Sequence, residues 1–147
     1  MRTPASIGKH PIHPMLVVFP IGLWIFSLVC DLIGLTVDAP QVWFTVAFFS
    51  MVGGLIGALL AAVPGVIDLL FYKGGKPPVK RIALAHMAIN LSAVALYILN
   101  VVMRIGAHES IRIPILLSLI GVAMIAVSGW LGGQMVHVYG VGVQGRE

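Results

Sequence analysis

Residues 81–105 read RIALAHMAINLSAVALYILNVVMRI, a run long and apolar enough to cross a hydrocarbon core, which takes about 20 helical residues. Its few polar side chains are not scattered. His86, Asn90, Ala93, Tyr97, Asn100 and Arg104 recur at alternating steps of four and three, which places them on one narrow face of a helix along the whole span. Polar groups are expensive in a bilayer, so that face must be turned toward other protein. A helix of this kind requires partners.

The chain supplies them. Three further apolar runs lie near 14–35, 40–71 and 114–138. Of the 147 residues 59% are hydrophobic and 10% charged, and the mean hydropathy is +1.04, far from a water-soluble domain. The runs do not alternate apolar and polar as barrel strands do. The reading is all-α: an integral membrane, antiparallel four-helix bundle, with 1–147 as one transmembrane domain. Pro14, Pro40 and Pro114 mark helix starts, where a missing backbone donor costs nothing, and Gly74-Gly75 with Pro77-Pro78 break the chain between the second and third helices. No sequence repeat is apparent.

Lys and Arg in the connections set the orientation. Arg2, Lys9, Lys73, Lys76, Lys80, Arg81 and Arg146 fall at one end and Arg104 and Arg112 at the other, so both termini are expected in the cytoplasm, as for a multi-pass protein of a bacterial inner membrane. The first helix has a basic start but too long an apolar stretch, and no A-x-A-like site follows it, so it is read as retained. The pI of about 9.7 reads as membrane anchoring, with no nucleic-acid motif. Cys30, the single cysteine, reads as a small packing residue.

The other helices carry stripes of their own. His13, Val17, Pro20, Trp24, Ser27, Asp31 and Gly34 form one, Ser50, Gly54, Gly57, Ala61, Pro64 and Asp68 a second, and Val127, Trp130, Gln134 and His137 a third. Interhelical hydrogen bonding accounts for most Ser, Asn and Tyr in such positions. The small residues Gly53, Gly57, Ala61 and Gly65, and Gly129 with Gly133, read as close helix packing, within the bundle or in a homo-oligomer, or as room for a flat cofactor.

The histidines converge. In an antiparallel bundle His10, His13, Asp68, His86 and His137 share the cytoplasmic half, while His108 lies in the opposite loop. His86 is five residues past Arg81, roughly 7–8 Å into the span. The prolines after His10 and His13 disfavour helical backbone at both histidines and stiffen them over the bundle mouth. Helices one and three are diagonal, so His13 and His86 are placed to grip an iron from opposite sides, and Asp68 pairs likewise with His137. Histidine is the usual axial ligand of b-type haem in a bundle, with Lys80, Arg81 and Arg146 available to its propionates. A protein that binds or transports zinc, iron or copper without a porphyrin is the chemical alternative, and a cofactor-free scaffold subunit is the third.

Four stretches, HPIHPMLVVFPIGLW, GLIGALLAAVPGVIDLL, RIALAHMAINLSAVALY and SGWLGGQMVHVYGVGV, cover nearly the whole chain. In them it resembles the bacterial membrane family known as domain of unknown function 2231. The resemblance implies His10, His13, Asp68, His86 and Asn90 as site residues. Because some relatives are joined to Rieske-type iron–sulfur or c-type cytochrome modules, it also implies electron transfer, with a quinone or soluble donor and a redox partner. Relatives often place a tyrosine two residues before the histidine of the closing motif, whereas here His137 precedes Tyr139, which changes the direction of that side chain. No nucleophile motif, phosphate loop or paired carboxylates appear, so the expected role is an electron carrier and not an enzyme with a defined substrate.

Overall fold

The computed structural model describes residues 4–8, 10–71, 77–106 and 111–143. Arg2, Lys9, Lys73, Gly74-Gly75, Lys76, His108 and Arg146 lie outside the described residues. Proline sets the helix starts. Pro11, and not Pro14, precedes α1 (Ile12–Leu16) as its N-cap, so His13 is helical despite the proline after it, because the Pro14 nitrogen falls in the first turn, where no amide has a helical acceptor. Pro40 is the N-cap of α3 (Gln41–Leu70), and Pro114 sits in the first turn of α5 (Arg112–His137). Pro77 and Pro78 do not separate helices as the sequence suggested; they open α4 (Pro77–Ile105), because first-turn amides have no helical acceptor to lose.

The first span is split. Pro20 has no N–H for the carbonyl of Leu16, and its ring crowds that carbonyl, so α1 gives way to α2 (Val18–Gly34) at Val17. The chain nevertheless keeps its direction, with Val17 N–H bonded to the His13 carbonyl and Ile21 N–H to that of Val17. Ahead of α1 lies a small antiparallel hairpin, β1 (Ser6–Ile7) and β2 (His10–Pro11), with Ser6 opposite Pro11 and Ile7 opposite His10. Gly8 turns it at φ +55°, which only glycine adopts freely.

Among the described residues, four segments are long and apolar enough to span a membrane: Ile12–Gly34, Gln41–Leu70, Pro77–Ile105 and Arg112–His137. They form the expected four-helix bundle. α2 packs most extensively on α3 and α4 on α5, while α2 with α5 and α3 with α4 close the ring. The bundle is therefore two tight helical hairpins, α1–α3 and α4–α5, apposed along a looser seam, with α2 and α4 on its diagonal. Trp24, Met51, Ala93, Tyr97 and Ile125 make the apolar centre. Phe19, Leu59, Leu60, Ile98 and Leu116 are among the many large apolar side chains left outside, the surface that a bilayer covers.

Three of the four stripes point inward. Trp24, Ser27 and Asp31, then Gly54, Gly57 and Ala61, then Ala93, Tyr97 and Asn100 are all buried. The fourth does not: Val127 is 54% and Trp130 72% exposed. The inward face of α5 is Pro114, Ser118, Gly121, Ile125 and Ser128. Here small size, which admits the side chains of α4, decides the buried face, and the large indole is left to the surface.

Candidate functional site

Three contacts cross the diagonal between the two hairpins. At the end that carries the N-terminus, the His13 and His86 rings stand 6.1 Å apart, their planes at 85°. At mid-depth Trp24 and Tyr97 stack with centroids 4.0 Å apart. At the far end Arg104 makes a two-pronged contact with Asp31, Nη1 to Oδ1 at 2.9 Å and Nη2 to Oδ2 at 2.6 Å. Asn100 steadies it, accepting from Arg104 Nε through Oδ1 and donating through Nδ2 to the Pro114 carbonyl and the Ser118 hydroxyl.

Both imidazoles are oriented by backbone. His13 Nδ1 lies 2.8 Å from the Ala61 carbonyl, and His86 Nδ1 lies 2.9 Å from the Ser128 carbonyl and 2.8 Å from its hydroxyl. A carbonyl only accepts, so each Nδ1 carries a proton, and in the neutral ring Nε2 holds the lone pair. That second-nitrogen tether is how metal-ligating histidines are commonly held. Small residues let the rings in. A Cβ at Gly65 would stand 2.9 Å from His13 Nδ1, and one at Gly132 would touch His86 Cε1 at 3.5 Å. At His86 the lone pair accepts from Asn90 Nδ2 at 3.0 Å, one helical turn deeper, as the spacing of the α4 stripe requires.

The other candidates sit around this pair. Asp68, in the last turn of α3, accepts the Ala5 amide at 2.7 Å through Oδ1, so it pins the β1–β2 hairpin over the bundle mouth. We expect Asp68→Ala to remove a charge-assisted bond of about 1.5–3 kcal/mol. Limited proteolysis would then cut near residues 4–11 much sooner, with little change in the global melting temperature; unchanged proteolysis would rule out this pinning. His10, opposite Ile7, is exposed, and so is His137 in the last turn of α5. Among the described residues no group of three or more His, Cys, Asp or Glu comes together as a metal-holding set. Cys30 is buried and unpaired.

Among the described residues the donor set offered to a metal is two imidazoles. A site with two protein ligands needs the rest of its coordination from the cofactor, as a porphyrin provides. The glycine-rich face of α3 is not its slot, because a Cβ at Gly54 would collide with the Trp24 indole and one at Gly57 would meet Phe19 and Pro20 at 3.1 Å. Lys80 and Arg81 are exposed on α4, six and five residues before His86.

Sequence reasoning missed Ser128 and the Ala61 carbonyl. Ser128 stands seven residues after Gly121 on the small-residue face of α5, so attention to residue size there was the available signal. A backbone acceptor leaves no signal at all.

Comparison with curated proteins and with solved structures gives no match. The model of one family does match, covering residues 9–145, from the residue before the first histidine-proline pair to the closing glycine motif. By that match the chain belongs to the family described as predicted membrane protein DUF2231.

Proposed function

We propose that this protein is a membrane electron carrier that binds b-type haem between the two hairpins, with His13 and His86 as axial ligands. The observation that supports it is the matched pair of imidazoles across the diagonal, each with Nδ1 tied to a backbone carbonyl, so that Nε2 is the nitrogen that would ligate, at His86 after displacing Asn90. Haem supplies one-electron cycling of its iron. The chain's own contribution is to orient the rings, exclude water with the Trp24–Tyr97 stack below, and meet the propionates with Lys80 and Arg81. Asn90 competes for Nε2 of His86, and a ligand there displaces a bond of about 1 kcal/mol. His10, His137 and Asp68 border the mouth.

The excess of Lys and Arg at the His13 end supports placing both termini in the cytoplasm, in a bacterial inner membrane. A quinone or soluble donor and a redox partner complete the role. Gly129 and Gly133, where a Cβ would meet nothing within 4 Å, leave α5 open to a second copy.

The test is an absorption spectrum of protein expressed with haem supplied, first air-oxidised and then dithionite-reduced, with metal analysis of the same sample. We expect sharp Soret and α bands that are lost in His13→Ala and in His86→Ala. Stoichiometric zinc, iron or copper without those bands would replace haem by a non-haem metal. Neither bands nor metal would leave a scaffold.

A further inference from the structure

The three cross-bundle contacts share one spacing. Arg104 and Asp31 are 73 residues apart in the chain, as are His86 and His13, which face each other, and Tyr97 and Trp24, which stack. The same shift carries Ser27 to Asn100, both fully buried.

Their partners within each hairpin follow a second constant shift. His13 is tied to the carbonyl of Ala61 and His86 to that of Ser128. Trp24 Nε1 donates to the carbonyl of Met51, and the Tyr97 hydroxyl to that of Ser118. Ser27 Oγ donates to the carbonyl of Ala47, and Asn100 Nδ2 to that of Pro114. One offset takes Ala61, Met51 and Ala47 onto Ser128, Ser118 and Pro114. It also takes Gly54, which makes room for Trp24, onto Gly121, which makes room for Tyr97, and Gly65 beside His13 onto Gly132 beside His86. Three side-chain bonds and two close approaches therefore recur in the same order at the same depths in both hairpins.

Hairpins that run in the same direction are related by rotation about an axis along the bundle, as in parallel membrane repeats. On that axis each diagonal residue meets its own equivalent. Histidine meets histidine and aromatic meets aromatic. Position 31 against position 104 is where the equivalents carry opposite charge. Two first hairpins paired in this way would bury two carboxylates face to face, and two second hairpins would bury two guanidiniums; only one of each neutralises the pair.

We infer that the chain is an internal duplication of one helical hairpin, the copies related by a pseudo-twofold axis through the His13–His86 site. Asp31 and Arg104 are the unlike charges that fit the inner face of one half to the other and not to itself. This stands on the matched contacts alone and is independent of which cofactor the site takes.

A residue moved to the equivalent position again has a backbone carbonyl opposite it at the same place in the hairpin, so paired exchanges compensate; between unrelated positions they do not. The test uses the full chain in detergent and compares three exchanges, Trp24→Tyr with Tyr97→Trp, Ser27→Asn with Asn100→Ser, and Asp31→Arg with Arg104→Asp, against the six single variants. We expect every double to melt above both of its singles, and the Trp/Tyr exchange to come within a few degrees of the parent. The charge exchange also alters insertion, so the two uncharged exchanges are the deciding ones. If both melt no higher than their more damaged single, the halves are not equivalent and the duplication is wrong.

Discussion

Replacing Arg104 with methionine is expected to destabilise the bundle by about 3–5 kcal/mol, the usual result of removing one partner from a buried ion pair. Asp31 is fully buried and the Arg104 side chain only 5% exposed, so the carboxylate would lose both guanidinium bonds with no water to replace them. Asn100 would lose the donor to its Oδ1 as well. With total stabilities of about 5–15 kcal/mol, a loss of this size is close to unfolding. Where the variant still folds, a fall of about 6–20 °C in melting temperature is expected. The double variant Asp31→Leu with Arg104→Met removes both charges and should recover most of the loss, since a buried pair is often worth no more than an apolar replacement. Thermal unfolding of the detergent-solubilised protein, with elution profile as a check on folding, measures both. A single variant within about 1 kcal/mol of the parent would mean that the carboxylate finds water or another partner.

The second large effect is expected at Gly54. A Cβ there would overlap Cδ1 and Nε1 of Trp24, an indole only 2% exposed, stacked on Tyr97 and bonded to the Met51 carbonyl. The ring has nowhere to go. Gly54→Ala should therefore destabilise by about 1–3 kcal/mol or more, as overpacking does. Gly121→Ala should behave alike, since its Cβ would stand 2.5 Å from Tyr97 Cε2. Gly129→Ala is the control. Nothing lies within 4 Å of that Cβ, and the gain in helix propensity makes it neutral or stabilising by up to about 1 kcal/mol. If Gly54→Ala and Gly129→Ala unfold at the same temperature, the stack does not depend on the cleared space.

Much of the bundle was legible in the sequence. The four spans follow from hydropathy and length, and the inward faces of three of them from polar residues at helical spacing, because a bilayer penalises any other orientation. The diagonal meeting of His13 and His86 follows from helix order alone. The fourth face was misread because Trp130 and Gln134 suggested an interior, whereas α5 buries its small residues and accepts side chains from α4. The β1–β2 hairpin was missed because it is too short for any periodicity and one of its anchors, the Asp68 carboxylate, comes from a distant part of the chain.

The duplication shows why some of the structure could not be read in advance. Its equivalents are Trp and Tyr, Ser and Asn, Asp and Arg, Met and Ser, so little similarity survives between the halves beyond the histidines and two glycines. What recurs is a donor side chain reaching a backbone carbonyl, and carbonyls are the same at every residue; any donor of suitable reach preserves the contact while erasing the repeat. By itself the sequence determined a four-span membrane bundle with its polar groups inward, because hydropathy and helical period are local properties of the chain. Which carbonyl orients each histidine, which glycine clears each ring, and that the two hairpins pair as unlike copies about an axis were decided only by tertiary structure, because those contacts join a side chain to backbone far away in sequence.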